Sequence, residues 1–259
     1  MQWHGRHVIR LITVKPLIRT IALAAALAAG VVIAGTATAQ SAAAPAPMLT
    51  RADFRDRVVS PPMRHIADWA VHSGDHKQLP FIVVDKVNAS AAAFDASGRL
   101  IRTAPVLLGT GLGDVFPPGV AQLDMHETQP WQRITPAGRY LAEEGRNLQN
   151  ERVLWVDYDA GIAIHKIPTK RTAQRRHERI VSPDPSEHRI TYGCINVPAS
   201  FYDGVVRAHF RRKGGIVYVL PDTVPLKSVF TSYEVDSPAF ATPVRQSARE
   251  TLQPATRKF

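Results

Sequence analysis

From Phe81 onward the apolar residues fall into short runs separated by turn residues, the spacing of strands rather than helices. Residues 81–87 (FIVVDKV) and 91–94 read as strands, Asp95-Ala96-Ser97-Gly98 supplies a turn, and residues 100–108 return as a strand ending at Gly109-Thr110-Gly111. Residues 111–132 carry Pro117, Pro118, Gly119 and Pro130 and predict an irregular excursion. Thr135-Pro136-Ala137-Gly138 is a turn signal, followed by strand-like runs at 139–142, 153–158 and 161–165, the last ending in a histidine, and a final buried strand at 216–220. The pattern predicts a domain that is mainly β with a few helices, built as a β-sandwich or barrel.

Helical spacing appears in two places. Ser60-Pro61-Pro62 precedes Met63, Ile66, Ala67 and Ala70, which share a face until Ser73-Gly74 stops the pattern, so residues 60–80 predict a short helix packed on the next domain. Pro198 suits a first helical position; Phe201, Val205 and Val206 continue until the basic turn Arg211-Arg212-Lys213 and the stop Gly214-Gly215. Before these, Arg6, Arg10, Lys15 and Arg19 precede an apolar run over 21–33 and the small-x-small site Ala37-Thr38-Ala39. Residues 1–39 thus read as an export signal, cleaved after Ala39 or kept as a signal-anchor, which places the rest in the periplasm or cell envelope. Residues 40–59 form an Ala/Pro linker and extension, 81–221 the main domain, and 222–259 an irregular C-terminal tail with little apolar periodicity.

Composition narrows the class. The chain has 259 residues, 45% of them hydrophobic, enough for a packed core in one or two domains, and its single cysteine excludes an intrachain disulfide. A net charge of +10 suggests nucleic acid or a membrane surface. Four of those charges belong to residues 1–39, which contain no acid. Residues 166–189 hold seven cations (Lys166, Lys170, Arg171, Arg175, Arg176, Arg179, Arg189) against Glu178, Asp184 and Glu187. Nucleic acid therefore loses its main support, and membrane contact reduces to the N-terminal segment if it is retained.

An odd cysteine in an exported protein is a buried small hydrophobe, an intermolecular disulfide partner or a reactive thiol. Cys194 follows Gly193, where the backbone can turn sharply, and precedes the helix predicted from Pro198, whose positive end favours thiolate. Adjacent amides at such a turn are the parts of an oxyanion hole. His165, at the end of a strand, is the candidate base best held by rigid structure; His177 and His188 read as solvated loop residues. The His72/His76 pair and His126, near Asp124 and Glu127, read as surface histidines rather than metal ligands, and no metal or cofactor is expected. Tyr192 lines an acyl pocket or simply packs, and Trp155 and Tyr158 belong to the core or rim of their strand.

Ile164-His165, the later run Thr191-Tyr192-Gly193-Cys194-Ile195-Asn196, and the Thr-Pro-Ala-Gly segment at 135–138 after its meander together resemble the signature of the L,D-transpeptidases. The likeness to this YkuD-type catalytic domain covers residues 81–221. Two features depart from it: Tyr192 stands where the family usually has histidine, and His165 and Cys194 are 29 residues apart, so residues 166–189 contain an insertion. The resemblance implies a YkuD-like β-sandwich in which Cys194 attacks a peptidoglycan stem tetrapeptide, releasing its terminal D-alanine, with His165 as general base and acid. The amides of Tyr192, Gly193 and Cys194 would hold the oxyanion, and Thr191 and Asn196 would support the turn, Asn196 alternatively capping the helix after Pro198. An amine of a second stem would resolve the thioester into a cross-link, or water would give carboxypeptidase activity. The implied partners are peptidoglycan stem peptides, toward whose carboxylates the basic insertion would steer, and the chain is expected to act as a monomer. Two other classes compete: a papain-like cell-wall peptidase, whose nucleophile usually precedes its histidine, and a non-catalytic wall-binding β module with an inert cysteine.

Overall fold

A computed structural model describes residues 49–237, apart from 121, 122, 125, 170 and 171. The expectations for residues 1–48 and 238–259, and for Lys170 and Arg171, lie outside the described residues. Among the described residues no helix is long and apolar enough to cross a membrane.

The domain is mainly β with a few helices, as the short apolar runs predict. Its strands are β1 (Phe81–Asp85), β2 (Ser90–Phe94), β3 (Leu100–Pro105), β4 (Leu108–Gly109), β5 (Gly138–Arg146), β6 (Arg152–Asp157), β7 (Ile162–Lys166), β8 (Arg189–Thr191), β9 (Ile195–Val197) and β10 (Gly215–Val219). Eight form one mixed sheet in the order β3-β2-β1-β10-β5-β6-β7-β9, and β4 pairs in parallel with β8. Within the large sheet only β1/β10 and β7/β9 run parallel. Leu107, two residues beyond β3 at one edge, exchanges both backbone hydrogen bonds with Asn196 of β9 at the other, each at 2.9 Å. The two edges thereby meet, which satisfies backbone groups an open edge would expose.

Strand alternation divides the apolar residues between two cores. Ile82, Val84, Val217 and Val219 point into the curled sheet, where Phe201, Val205, Val206 and Phe210 close the core. These four come from a helix that opens as α3 (Ala199–Phe201) and continues π-wound over Tyr202–Phe210. Phe81, Val83, Ile216 and Tyr218 point the other way, under helix α1 (Pro61–Ser73). Ser60 caps α1, its Oγ accepting from the Met63 amide at 3.3 Å and donating to Asp85 at 2.5 Å, and Gly74 ends the helix at φ 71. Met63, Ile66 and Val71 are buried, each contributing about 1.5–3 kcal/mol.

Four expectations need correction. The run 100–108 is interrupted after Pro105, which lacks an amide for the ladder, and resumes as β4 in the other sheet. The strand expected at 139–142 extends to Arg146, because Glu143 to Arg146 pair with Arg152 to Trp155 of β6 and pattern alone disguises so charged an edge. Pro198 precedes the helix rather than opening it, and β9 separates Cys194 from that helix. The tail boundary at 221 falls too early: Phe230 is buried in the core beneath α1, and Tyr233 Oη lies 2.8 Å from His72 Nδ1.

Candidate active site

The register of β7 and β9 brings the sequence-predicted residues together. Parallel strands need a long crossover, and residues 167–194 are that connection, so a histidine and a cysteine 29 residues apart end on neighbouring strands. Ile164 pairs with Ile195 and His165 with Asn196. His165 and Asn196 are register partners and so share a face of the sheet, and Cys194 sits in the turn immediately before β9, two residues ahead of Asn196.

The turn that presents Cys194 is built from hydroxyls and one glycine. Gly193 has φ 126, and a Cβ there would come within 2.6 Å of the Ile134 carbonyl oxygen and 2.7 Å of the Ile162 side chain, so both backbone shape and space require glycine. Thr191 Oγ1 accepts from the Gly193 amide at 3.1 Å and donates to the Cys194 carbonyl at 2.6 Å. Thr135, from the Thr-Pro-Ala-Gly segment, accepts from the Gly109 amide at 2.9 Å and donates to the Gly193 carbonyl at 2.8 Å. The Gly193 amide is thus engaged by Thr191, and the expectation that it serves the oxyanion does not hold in this arrangement. Tyr192 projects between Arg133, whose guanidinium lies 4.2 Å from its ring centroid, and His126, at 6.1 Å between ring centres.

The half-buried Cys194 thiol donates to the Gly161 carbonyl at 3.5 Å. Burial pushes the thiol up from its ordinary value, against the weaker opposite pulls of the Ala163 amide and the Arg176 charge. With the helix start displaced to Ala199, the helix-dipole argument for a resting thiolate fails, and the cysteine rests as a thiol. His165 is engaged at both ring nitrogens: Nδ1 lies 2.8 Å from the Lys166 carbonyl oxygen and Nε2 3.0 Å from Asn196 Nδ2. Asn196, completely buried, contacts His165 on one side and the Arg176 guanidinium on the other. Its side chain therefore bridges the histidine and Arg176, and does not cap the helix.

Arg176 is the functional candidate that sequence reasoning misplaced. It belongs to the short helix α2 (Arg176–Arg179) in the insertion and is 5% exposed, its Nε donating to Gln174 Oε1 at 2.7 Å. The available signal was its position one helical turn before Ile180, which packs with Leu107 and Ile167 in a small separate core. His188 is likewise buried, with Nδ1 2.9 Å from the Val106 carbonyl oxygen, and is not the solvated residue expected. His76 is buried too, Nδ1 lying 2.8 Å from the Ala70 carbonyl oxygen. Trp155 and Tyr158 meet edge to face at 5.1 Å, Tyr158 being 74% exposed on the rim. Among the described residues no three His, Cys, Asp or Glu side chains are grouped to hold a metal ion.

No protein-family model and no curated protein matches the sequence. The chain is similar to solved structures of L,D-transpeptidases, at low identity. The Ldtfm–avibactam carbamoyl enzyme is 18% identical with a TM-score of 0.34, over 55% of this chain and 49% of that one. The catalytic domain of the E. faecium L,D-transpeptidase is 18% identical with a TM-score of 0.33, over 56% of this chain and 99% of that one. Pgp2, the helical cell shape determining protein of Campylobacter jejuni, is 15% identical with a TM-score of 0.38, over 56% of this chain and 49% of that one. The chain thus spans about half the length of the first and third of these structures and nearly all of the isolated catalytic domain.

Proposed function

We propose that the protein is an exported peptidoglycan L,D-transpeptidase. The observation that carries the reading is the parallel pairing of β7 with β9, which puts His165 opposite Asn196 and so beside the turn, just before β9, that carries Cys194. The sulfur of Cys194 attacks the carbonyl carbon that precedes the terminal D-alanine of a stem tetrapeptide. His165 takes the thiol proton, the C–N bond breaks, and the same proton leaves on the amine of D-alanine. An amine of a second stem then attacks the thioester, forms the cross-link and returns the thiol; water in its place gives L,D-carboxypeptidase turnover.

The resting thiol suits this order of events. Because burial holds the proton on sulfur, a neutral imidazole must remove it as the carbonyl arrives, and catalytic hydrogen bonds commonly tighten only in the substrate complex. The amides of Tyr192 and Cys194 are the donors for the oxyanion, with Gly193 joining only if Thr191 releases it. Export follows the signal reading of residues 1–39. The test is incubation of the purified protein with disaccharide-tetrapeptide and intact-mass analysis. A thioester on Cys194 that is absent from Cys194→Ala is expected; confirmed turnover with Cys194 unmodified rejects the assignment.

A further inference from the structure

We propose that Arg176 is a positioning residue: through Asn196 it holds His165 as the neutral tautomer with a proton on Nδ1 and none on Nε2. The inference rests on the proposed transpeptidase reading for its catalytic meaning, and on hydrogen-bond chemistry alone for its structural content.

The chain of constraint begins at a group with no choice. A guanidinium only donates, so the Asn196 atom facing it must be the carbonyl oxygen Oδ1, the contact observed with Arg176 Nη1. The amide end, Nδ2, is then left for His165, 3.0 Å from Nε2. Because Nδ2 only donates, Nε2 must accept, and an accepting ring nitrogen carries no proton. The ring's proton therefore sits on Nδ1, where the Lys166 carbonyl oxygen waits 2.8 Å away as an obligate acceptor. Four groups agree on one assignment, and reversing the Asn196 amide would set donor against donor at Arg176.

The surroundings leave few alternatives. The Asn196 backbone is fixed by both hydrogen bonds to Leu107, and its side chain is fully buried, so no solvent competes for the amide. Gln174 Oε1 holds the Arg176 guanidinium at Nε. Ile180 roots the insertion against Leu107, the residue that pairs with Asn196. Nε2 is the ring nitrogen facing β9, the strand that follows Cys194. The insertion thereby supplies the constraint that keeps Nε2 unprotonated, its lone pair accepting from Asn196 until the thiol takes that place.

Imidazole-labelled protein and long-range proton–nitrogen spectra read the tautomer directly, with His165→Gln assigning the signals. At neutral pH the wild type is expected to show a bare Nε2 on His165. Arg176→Met is expected to shift the ring toward the Nε2-protonated form, and Arg176→Lys, which restores a donor, to return the wild-type pattern. Asn196→Asp, whose oxygens only accept, is expected to place a proton on Nε2; it decides the question should Arg176→Met not fold. A protonated Nε2 in the wild type, an unchanged pattern in folded Arg176→Met, or a bare Nε2 in Asn196→Asp overturns the proposal. The spectra need no substrate, so this proposal and the transpeptidase reading fail independently. If both stand, turnover in Arg176→Met falls by about tenfold or more, within the range attributed to general-base catalysis.

Discussion

Residues 111–134 and residues 166–189 are both long, polar and sparing of regular structure, and each lies against the turn that carries Cys194. Each is also anchored by a buried cation. Beneath the first, Lys86 is fully buried and donates to the Gly113 carbonyl at 2.6 Å, Asp114 at 2.7 Å and the Thr135 carbonyl at 2.9 Å, using all three of its hydrogens. Asp222 lies 3.2 Å away and is itself bound by Arg189 at 2.6 Å, so two cations meet two anions. In the second segment Arg176 meets the amide oxygens of Gln174 and Asn196, and Asn196 touches the candidate base. The first network balances its charges, takes in Arg189 from the end of the second segment, and reaches the Cys194 turn only through Thr135, away from the candidate base. The second ends on a reacting group.

Removing a cation should therefore do different things in the two segments. Lys86→Met leaves Asp114 and Asp222 buried with half their countercharge gone, and breaking such a pair costs about 3–5 kcal/mol. That stability loss, expected to exceed the loss in Arg176→Met, is read as a fall in the urea midpoint at unchanged slope. An Arg176→Met protein that lost as much would erase the distinction. A smaller effect follows from pH. Burial alone would raise Asp114, but hydrogen bonds from Lys86 and Thr223 and from the Asp222 and Thr223 amides hold its carboxyl well below the usual range. A depressed carboxylate stabilises the fold above its unfolded value, about 3.9, and that stability is lost as pH falls below it. A loss of about 1–3 kcal/mol is expected between pH 4 and 2, on the scale of charged hydrogen bonds. Asp114→Asn should be weaker at neutral pH and lack that acid-dependent loss.

The same contrast explains what the sequence made legible. Most of the long strands, α1 after Ser60, the Gly193 turn and the Cys194/His165 candidates are written in local spacing: alternation, proline and glycine punctuation, a histidine ending an apolar run; the three-residue strands β8 and β9 are too short to show a period. The cations are not. Lys86 continues the apolar run 81–87 and reads as its polar interruption, while its partners Asp114 and Asp222 lie 28 and 136 residues away, beyond any periodicity. Arg176 sits among Arg175 and Arg179, and only the fold turns one of the three inward. The tail was misjudged for a related reason: Asp222, Thr223 and Val224 are held by hydrogen bonds to Asp114 rather than by an apolar pattern of their own.

The two remaining arginines of that trio give the smallest and sharpest test. As a sequence, residues 166–189 suggest a cationic surface that draws in carboxylate substrates. In the structure Arg175 is paired with Glu178, Arg179 donates to the Glu187 carbonyl at 2.9 Å, and Lys166 is paired with Asp203 at 2.7 Å. Among the described residues this pairing shortens the reach of the segment's charge, and what acts at a distance is screened by salt: the Debye length falls from about 10 Å at 0.1 M to about 3 Å at 1 M. Replacing Arg175 and Arg179 together by glutamine should lower the second-order rate with a tetrapeptide donor by less than about threefold at low salt, with the difference gone near 1 M. The deficit of Arg176→Met should persist at both salts, because a hydrogen bond to a buried amide is not made through solvent. A salt-sensitive deficit in Arg176→Met would move that residue back among the surface cations, and with it the distinction between an insertion that attracts substrate and one that sets the state of the base.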